Sequence, residues 1–490
     1  MSKRIAVIGS GFSSLSAASY LAKAGYEVEV FEKNEQTGGR ARHFSYEGFK
    51  FDMGPSWYWM PDVFESFFND FGKKAADYYT LKRLDPSYTI YFQNGDKWDI
   101  PARYEEFKNL LESKEKGAGV QLDRFLADAQ YKYEVGINDL VTKPSLSITE
   151  FIDWRVILGS LRLNLFSSFS SHVRKYFSHP NIIELMEFPV LFLGAKPSKT
   201  PALYSLMNYA DIKLGTWYPD GGMYKIVDGM TNLAKSLGVK FHLNSEVTKI
   251  NISNNKVSNF IVNDKAYEFD VVVGGADYHH IEQHLLEEKH RRYDEVYWDS
   301  RTMAPSSLIY YLGFNKKVVG LEHHNLFFDE SFAAHAEEIY EDPKWPTKPL
   351  FYVSCPSKID PSVAPEGGEN LFILIPTAPD LVDTEQHRKD YLEVIFERME
   401  RLLGHSFKDN MVYCRSYAHS DFKTDYHAFK GNAYGLANTL KQTAIFKPSM
   451  VNPKISNLFY TGQLTTPGPG VPPSLISGKV VSELIRKKIN

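Results

Sequence analysis

The segment from Arg4 to Glu32 constrains the fold more than any other stretch of the chain. "RIAVIGS" is a short continuous apolar run, the pattern of a strand buried on both faces of a parallel sheet. Gly9 and Gly11 make a turn, and Leu15, Ala18, Leu21 and Ala22 then recur at helical spacing. Gly25 ends that helix and "EVEVFEK" alternates as a second strand. This is a βαβ unit, and its turn reads Gly-x-Gly-x-x-Ser. Gly9 permits the tight turn, and Gly11 lets the backbone approach a pyrophosphate held at the helix N-terminus. Ser14 stands where a third glycine serves close helix-to-strand packing; a small side chain meets part of that demand, so a slight shift of the helix is expected. Glu32 ends the second strand, where a carboxylate accepts hydrogen bonds from ribose hydroxyls.

A chain of 490 residues is too long for one core and predicts two or three domains. Charged residues make up 24% with a net charge of -4, and Lys and Arg are scattered, so no nucleic-acid partner is expected. Cys355 and Cys414 are too few and too far apart for a disulfide scaffold or a zinc site; no metal is expected, and a cytoplasmic location fits. The chain passes from Met-Ser-Lys-Arg straight into the first strand, which leaves no room for a signal peptide. No run of about eighteen apolar residues predicts a spanning helix. Aromatic residues reach 14%, enough to fill large cores or to line a long apolar cavity.

A second glycine-rich element follows Glu32. In "GGRAR", Gly38 to Arg42, adjacent glycines free backbone amides to face an anion, and Arg40 and Arg42 offer forked donors to phosphate oxygens. "GFKFDMGPSW" comes next. A dinucleotide loop, an acidic residue ending the second strand, Gly-Gly-Arg and then Phe-Asp-x-Gly-Pro together resemble the flavoprotein group of amine oxidases and carotenoid desaturases. The resemblance implies noncovalent FAD. It places Gly39 and Arg40 along the phosphates and Gly54, Pro55 and Ser56 near the isoalloxazine ring. Phe12 and Ser13 in the first loop and Lys33 beside Glu32 are counted with the same cofactor set. "GGMYKIVDGM…" reads as a helix and then a strand carrying Val247, which by resemblance lies against adenine; "VVVGGADYHH" returns a buried strand to Ala276 and Asp277. At the far end, "NLFYTGQLTTPGPGVPPSLISGKVV" reads as strand, Gly- and Pro-rich turn and apolar helix. There the resemblance places Gly462 and Gln463 at the ribityl chain and Gly470 and Val471 near the ring, although Gln463 replaces an acidic residue common at that place.

The expected fold is therefore α/β: a Rossmann-type FAD-binding domain assembled from residues 1–80, 216–290 and 446–490, plus an α+β substrate-binding domain from 81–215 and 291–445. A helical part is expected near 150–215, where Leu158, Leu161, Leu165 and Phe169 share one helical face, away from Arg162 and Asn164; that is the pattern of an ordinary core helix and, as the alternative, of a membrane-facing surface. "FDMGPSWYWMPDVFE", the run from Phe188, "GNAYGLA" from Gly431 and "TPGPGVPPSLISGK" are similar to the bacterial-type phytoene desaturases and related carotenoid desaturases. That likeness implies insertion of double bonds into an apolar C40 carotenoid, phytoene-like or a hydroxylated γ-carotene desaturated at carbons 3 and 4. Hydride would pass to flavin N5, with oxygen or quinone as final acceptor, in a cytoplasmic protein held peripherally on the membrane. Trp57, Tyr58, Trp59 and Met60 read either as tunnel walls or as packing against the flavin domain. No catalytic residue is identified; Asp153, Arg155 and Asp211 lie in suitable stretches, though each pattern is also that of a solvated charge. A carotenoid isomerase or saturase of the same fold and a non-catalytic prenyl-binding escort are the alternatives.

Overall fold

Five short strands form one parallel sheet in the order Leu458–Tyr460, Val271–Gly274, β1 (Arg4–Ile8), β2 (Glu27–Phe31) and Lys240–His242. They belong to a computed structural model that describes residues 2–151 and 167–489. Four residues of β1 and all of Val271–Gly274 are buried, as the continuous Val and Ile runs demand of strands covered on both faces. Ile8 pairs with both Gly274 and Phe31, and Gly274 pairs with Tyr460, so four neighbouring strands end level. A sheet of this kind receives ligands beyond the carboxyl ends of its strands. The chain leaves those ends as Gly9, Glu32, Gly275 and Thr461.

Helix α1 (Phe12–Lys23) joins β1 to β2 and lies against the C-terminal helix Val471–Ile489. The two backbones meet at Gly478, where a β-carbon would stand 2.3 Å from the Ser13 carbonyl oxygen. Ser14 is fully buried. Its Oγ lies 1.9 Å from where a β-carbon on Gly275 would be, so the space for the serine comes from the missing side chain of the neighbouring strand's exit residue. The steric demand that a third glycine usually meets is divided between two distant positions.

A second sheet has seven strands in the order Met411–Tyr417, Ser306–Phe314, Glu369–Thr377, Phe351–Ser354, His324–Phe328, Tyr88–Phe92 and Lys97–Ile100. Its pairings are antiparallel except that of His324–Phe328 with Tyr88–Phe92. Successive side chains of a strand point to opposite faces. Leu308, Tyr310, Leu312 and Phe314 therefore pack on Ile395, Phe396 and Met399 of the helix Glu385–Leu403. Ile309 and Tyr311 face the other way, with Leu326, Phe328, Tyr352 and Phe372, into the largest core. That second face is the floor of an interior cavity.

Leu158, Leu161, Leu165, Arg162 and Asn164 of the expected amphipathic helix, and also Asp153 and Arg155, lie outside the described residues. Phe169 is buried at the start of a short helix, Phe169–Val173. Among the described residues no helix is long and apolar enough to cross a membrane.

Candidate functional site

One cavity of about 480 Å³ joins the strand ends of the parallel sheet to the inner face of the mixed sheet. Every residue assigned to the cofactor set from the sequence lines it. Gly9, Gly11, Phe12 and Ser13 come from the first loop, and Glu32 and Lys33 from the end of β2. Gly39, Arg40, Gly54, Pro55 and Ser56 follow; Val247 and Asp277 come from the middle of the chain, and Gly462, Gln463, Gly470 and Val471 from its end.

The two glycines of the first loop differ in what requires them. Gly9 has φ +92° and donates its N–H to the Phe31 carbonyl at 2.8 Å; a β-carbon there would sit 3.0 Å from the Ala276 nitrogen. Its glycine is demanded by the protein itself. Gly11 has φ −67° at the N-cap of α1, and a β-carbon there would meet no atom within 4 Å. Among the described residues nothing requires glycine at position 11; Gly11 lines the cavity, and the open space beside it is as expected where a phosphate approaches the backbone. Gly54 lets the chain pass beneath Arg40, since a β-carbon there would lie 2.3 Å from the Arg40 carbonyl oxygen.

Polar groups at this end are only partly satisfied. Glu32, buried, accepts hydrogen bonds from the Ser10 N–H and hydroxyl on one oxygen and from the Asn34 N–H and side-chain amide on the other. Arg40 gives one hydrogen bond, to the Asn432 carbonyl at 3.2 Å, and its buried Nε has no partner. The buried Oδ2 of Asp277 has none either. Burial pushes the Asp277 carboxyl up and the Arg40 guanidinium down from their ordinary values, each charge partly offsetting the effect on the other. Unpaired buried polar atoms are costly, so this end is suited to a polar ligand. Helix-terminal amides, an unfilled notch at Gly11, a free guanidinium donor and a carboxylate beyond β2 fit a dinucleotide cofactor.

Three expectations need correction. Arg42 does not line the cavity: it is buried in an ion pair with Asp425, beside the Tyr426 hydroxyl, so of the two arginines only Arg40 faces the cavity. Tyr58 is no wall residue; strand-like alternation turns it into the core, stacked on Phe64 and hydrogen-bonded to Tyr79, whereas Trp57, Trp59 and Met60 do line the cavity. Asp211 is neither solvated nor at the cavity. It is buried, accepts from Tyr88 Oη at 2.7 Å and Thr216 Oγ1 at 3.1 Å, and burial raises its pKa to about 6.

The structure also brings in residues that no sequence signal marked. Phe422, Asp425, Tyr426 and His427, at the end of the helix His419–Tyr426, close the polar end from the side of the second sheet. His427 bonds Glu246 at 2.7 Å and stacks on His280 with ring centres 3.8 Å apart. Burial, helped by His427, lowers the His280 pKa to about 3, so this wall is uncharged at His280. The opposite end is apolar, with Phe188, Leu326, Phe328, Phe332, Ile339 and Leu374 joining Trp57 and Trp59. Gln463 lines the same cavity, its amide 3.4 Å from Oδ1 of Asn432, whose carbonyl accepts from Arg40.

A parallel sheet whose strand ends open into a cavity with a polar and an apolar end is the arrangement of a dinucleotide-binding protein. The pattern that defines the flavin containing amine oxidoreductases matches residues 12–486. The chain is 42% identical, over 99% of its length and 98% of the relative's, to a carotenoid 3,4-desaturase of Haloarcula japonica. It is 30% identical, over 98% of its length and 93% of the relative's, to a zeta-carotene-forming phytoene desaturase of Myxococcus xanthus. In fold it is similar to an oxidoreductase of Methanosarcina mazei, with TM-score 0.64, 18% identity and coverage of 98% of this chain and 100% of that one. A putrescine oxidase variant gives TM-score 0.64 at 13% identity, covering 99% of both chains. The chain belongs to the flavin-containing amine oxidoreductase family and is an FAD-dependent oxidoreductase.

Proposed function

We propose that this enzyme is a carotenoid desaturase that introduces carbon–carbon double bonds into a long polyene. The observation that carries the reading is the single cavity with a glycine-lined polar end and an aromatic apolar end. Both of the relatives described above are carotenoid desaturases, and they match nearly the whole chain.

In this reading the amides at the start of α1, with Gly11 giving access, and the Arg40 guanidinium hold the cofactor's phosphates. Glu32 takes the ribose hydroxyls in place of the Ser10 hydroxyl and the Asn34 amide, and Val247 packs on adenine. Gly54, Pro55, Ser56, Gln463, Gly470 and Val471 border the ring. When bound, FAD supplies the two-electron acceptor for a hydride removed from carbon. The apolar walls orient a hydrocarbon that offers no polar handle and keep water from the reacting carbons. An oily substrate enters from a bilayer, so the protein sits peripherally on a membrane. Exposed Leu146 and Phe446 support this, because both belong to segments that reach the Thr466–Gly468 loop beside the cavity. Oxygen or a quinone takes the electrons onward.

The test incubates the FAD-loaded enzyme in liposomes with phytoene or with a hydroxylated γ-carotene and follows polyene absorption. A shift to longer wavelength with either substrate is expected. Spectra that stay unchanged while FAD is bound refute desaturation, and a geometric isomer without lengthening of the chromophore points to an isomerase.

A further inference from the structure

Desaturation removes a hydride from one carbon and a proton from its neighbour, and the reading above assigns a destination only to the hydride. Among the described residues outside the nucleotide end, His335, Tyr340, Tyr352 and Tyr434 bring titratable side chains to the cavity; Tyr434 lies beside the Ser307 hydroxyl, and of the three tyrosines Tyr352 is the one with a histidine at its hydroxyl. His335 lines the cavity, but its Nδ1 accepts from the Leu350 N–H at 3.0 Å and its Nε2 lies 2.9 Å from the Pro376 carbonyl, so both nitrogens are committed. Glu246, His280, Asp277 and Asp425 belong to the nucleotide end.

Tyr352 is different. It lines the cavity next to Ser56, and its hydroxyl lies 2.6 Å from Nδ1 of His324, which sits fully buried behind the wall. The His324 ring stacks on Trp57 with centres 4.1 Å apart, and its Nε2 has no partner. Burial, reinforced by His323, holds His324 well below its ordinary pKa and therefore neutral. A neutral imidazole has one acceptor nitrogen; with Nδ1 in that role, Tyr352 donates its proton inward, and its oxygen is approached by the Ser56 and Ser354 hydroxyls, which turn away when a substrate C–H takes their place. The His323 ring lies edge-on to that of His324 with centres 4.3 Å apart.

We infer that Tyr352 is the catalytic proton acceptor of the desaturation and His324 the base behind it. The inference rests on the desaturase reading. As hydride leaves one carbon for the flavin, the C–H proton of the adjacent carbon passes to Tyr352 Oη and the Tyr352 proton passes to His324 Nδ1. The electron pair of that C–H bond becomes the second bond of the new double bond. A carbon next to one losing hydride is strongly acidic, so a weak, buried base suffices.

The test compares the wild-type holoenzyme with Tyr352→Phe and His324→Asn. The asparagine side chain retains an acceptor near the Nδ1 position but takes no proton. Anaerobic single-turnover bleaching of the flavin by bound polyene is expected to slow about 100- to 1,000-fold in both variants. FAD affinity and polyene binding, read by tryptophan quenching in the FAD-free protein, are expected to stay within twofold of wild type. Nitrogen NMR of histidine-labelled protein is expected to show His324 as the Nε2–H tautomer, altered in Tyr352→Phe. Variants that bleach at the wild-type rate, or an Nδ1–H tautomer at His324, overturn the assignment while leaving the desaturase reading intact. A wild-type flavin that no polyene bleaches overturns both.

Discussion

Alanine at position 11 should separate cofactor binding from folding. Gly11 is the N-cap of α1 with φ −67°, and its β-carbon would project into open space. Glycine to alanine at an N-cap costs about 1 kcal/mol, while the loss of freedom in the unfolded chain returns about 0.4–1 kcal/mol. The FAD-free variant should therefore unfold within about 1 kcal/mol of wild type. Gly9 gives the opposite case, because φ +92° and an alanine β-carbon 3.0 Å from the Ala276 nitrogen combine strain with a backbone contact. Left-handed backbone alone costs a side chain about 1–2 kcal/mol, so Gly9→Ala should destabilise the FAD-free protein by about 2–3 kcal/mol. For FAD the methyl group at position 11 occupies the approach of a phosphate. Losing one charge-assisted hydrogen bond of about 1.5–3 kcal/mol raises Kd roughly tenfold to a hundredfold. Urea unfolding of the FAD-free proteins and titration of FAD fluorescence measure the two quantities. If Gly11→Ala binds FAD with unchanged Kd, or loses more than about 2 kcal/mol of stability without FAD, the assignment of the notch to the cofactor is wrong.

Gly275→Ala should cost about 1–3 kcal/mol because its methyl group collides with Ser14 Oγ, and adding Ser14→Gly should restore most of the loss; additive effects of the two changes in unfolding experiments would refute the shared space. Arg40→Ala should weaken FAD binding and, by leaving buried Asp277 without its neighbouring guanidinium, also cost the FAD-free protein some stability, whereas Arg42→Ala should lower stability by about 1–3 kcal/mol by breaking the ion pair with Asp425 while FAD affinity changes little; equal losses of FAD affinity in both would contradict their separate placement. Asp211, whose pKa is about 6 in the fold, is protonated there across a window in which the unfolded chain has lost its proton. Its contribution is present below the unfolded value and is lost as pH rises through about 6, so Asp211→Asn should gain on wild type by up to about 3 kcal/mol between pH 4 and 7. Parallel stability profiles for the two proteins would exclude that shift.

The opening βαβ unit was legible because its signals are local: the run of Ile and Val, the helical spacing from Leu15 to Ala22 and the turn glycines all act within a few residues of one another. The same holds for the strand and helix that end the chain, and for the residues that line the cavity at strand ends, whose backbone must leave the sheet toward a ligand. Interactions between distant segments left no comparable trace. That Ser14 fits because residue 275 is glycine, that Arg42 is held by Asp425, and that His427 stacks on His280 depend on pairs far apart in sequence. Tyr58 reads like its neighbours Trp57 and Trp59, and only the direction of its side chain removes it from the wall. His324 sits in an ordinary buried strand and gains its place behind Tyr352 from the pairing of two strands in one sheet. Periodicity and turn chemistry are properties of contiguous residues, so the sequence alone determined which elements form and which end of the sheet opens to the cavity. Which side chains share a space, and so which are free to act on a ligand, was decided when those elements packed.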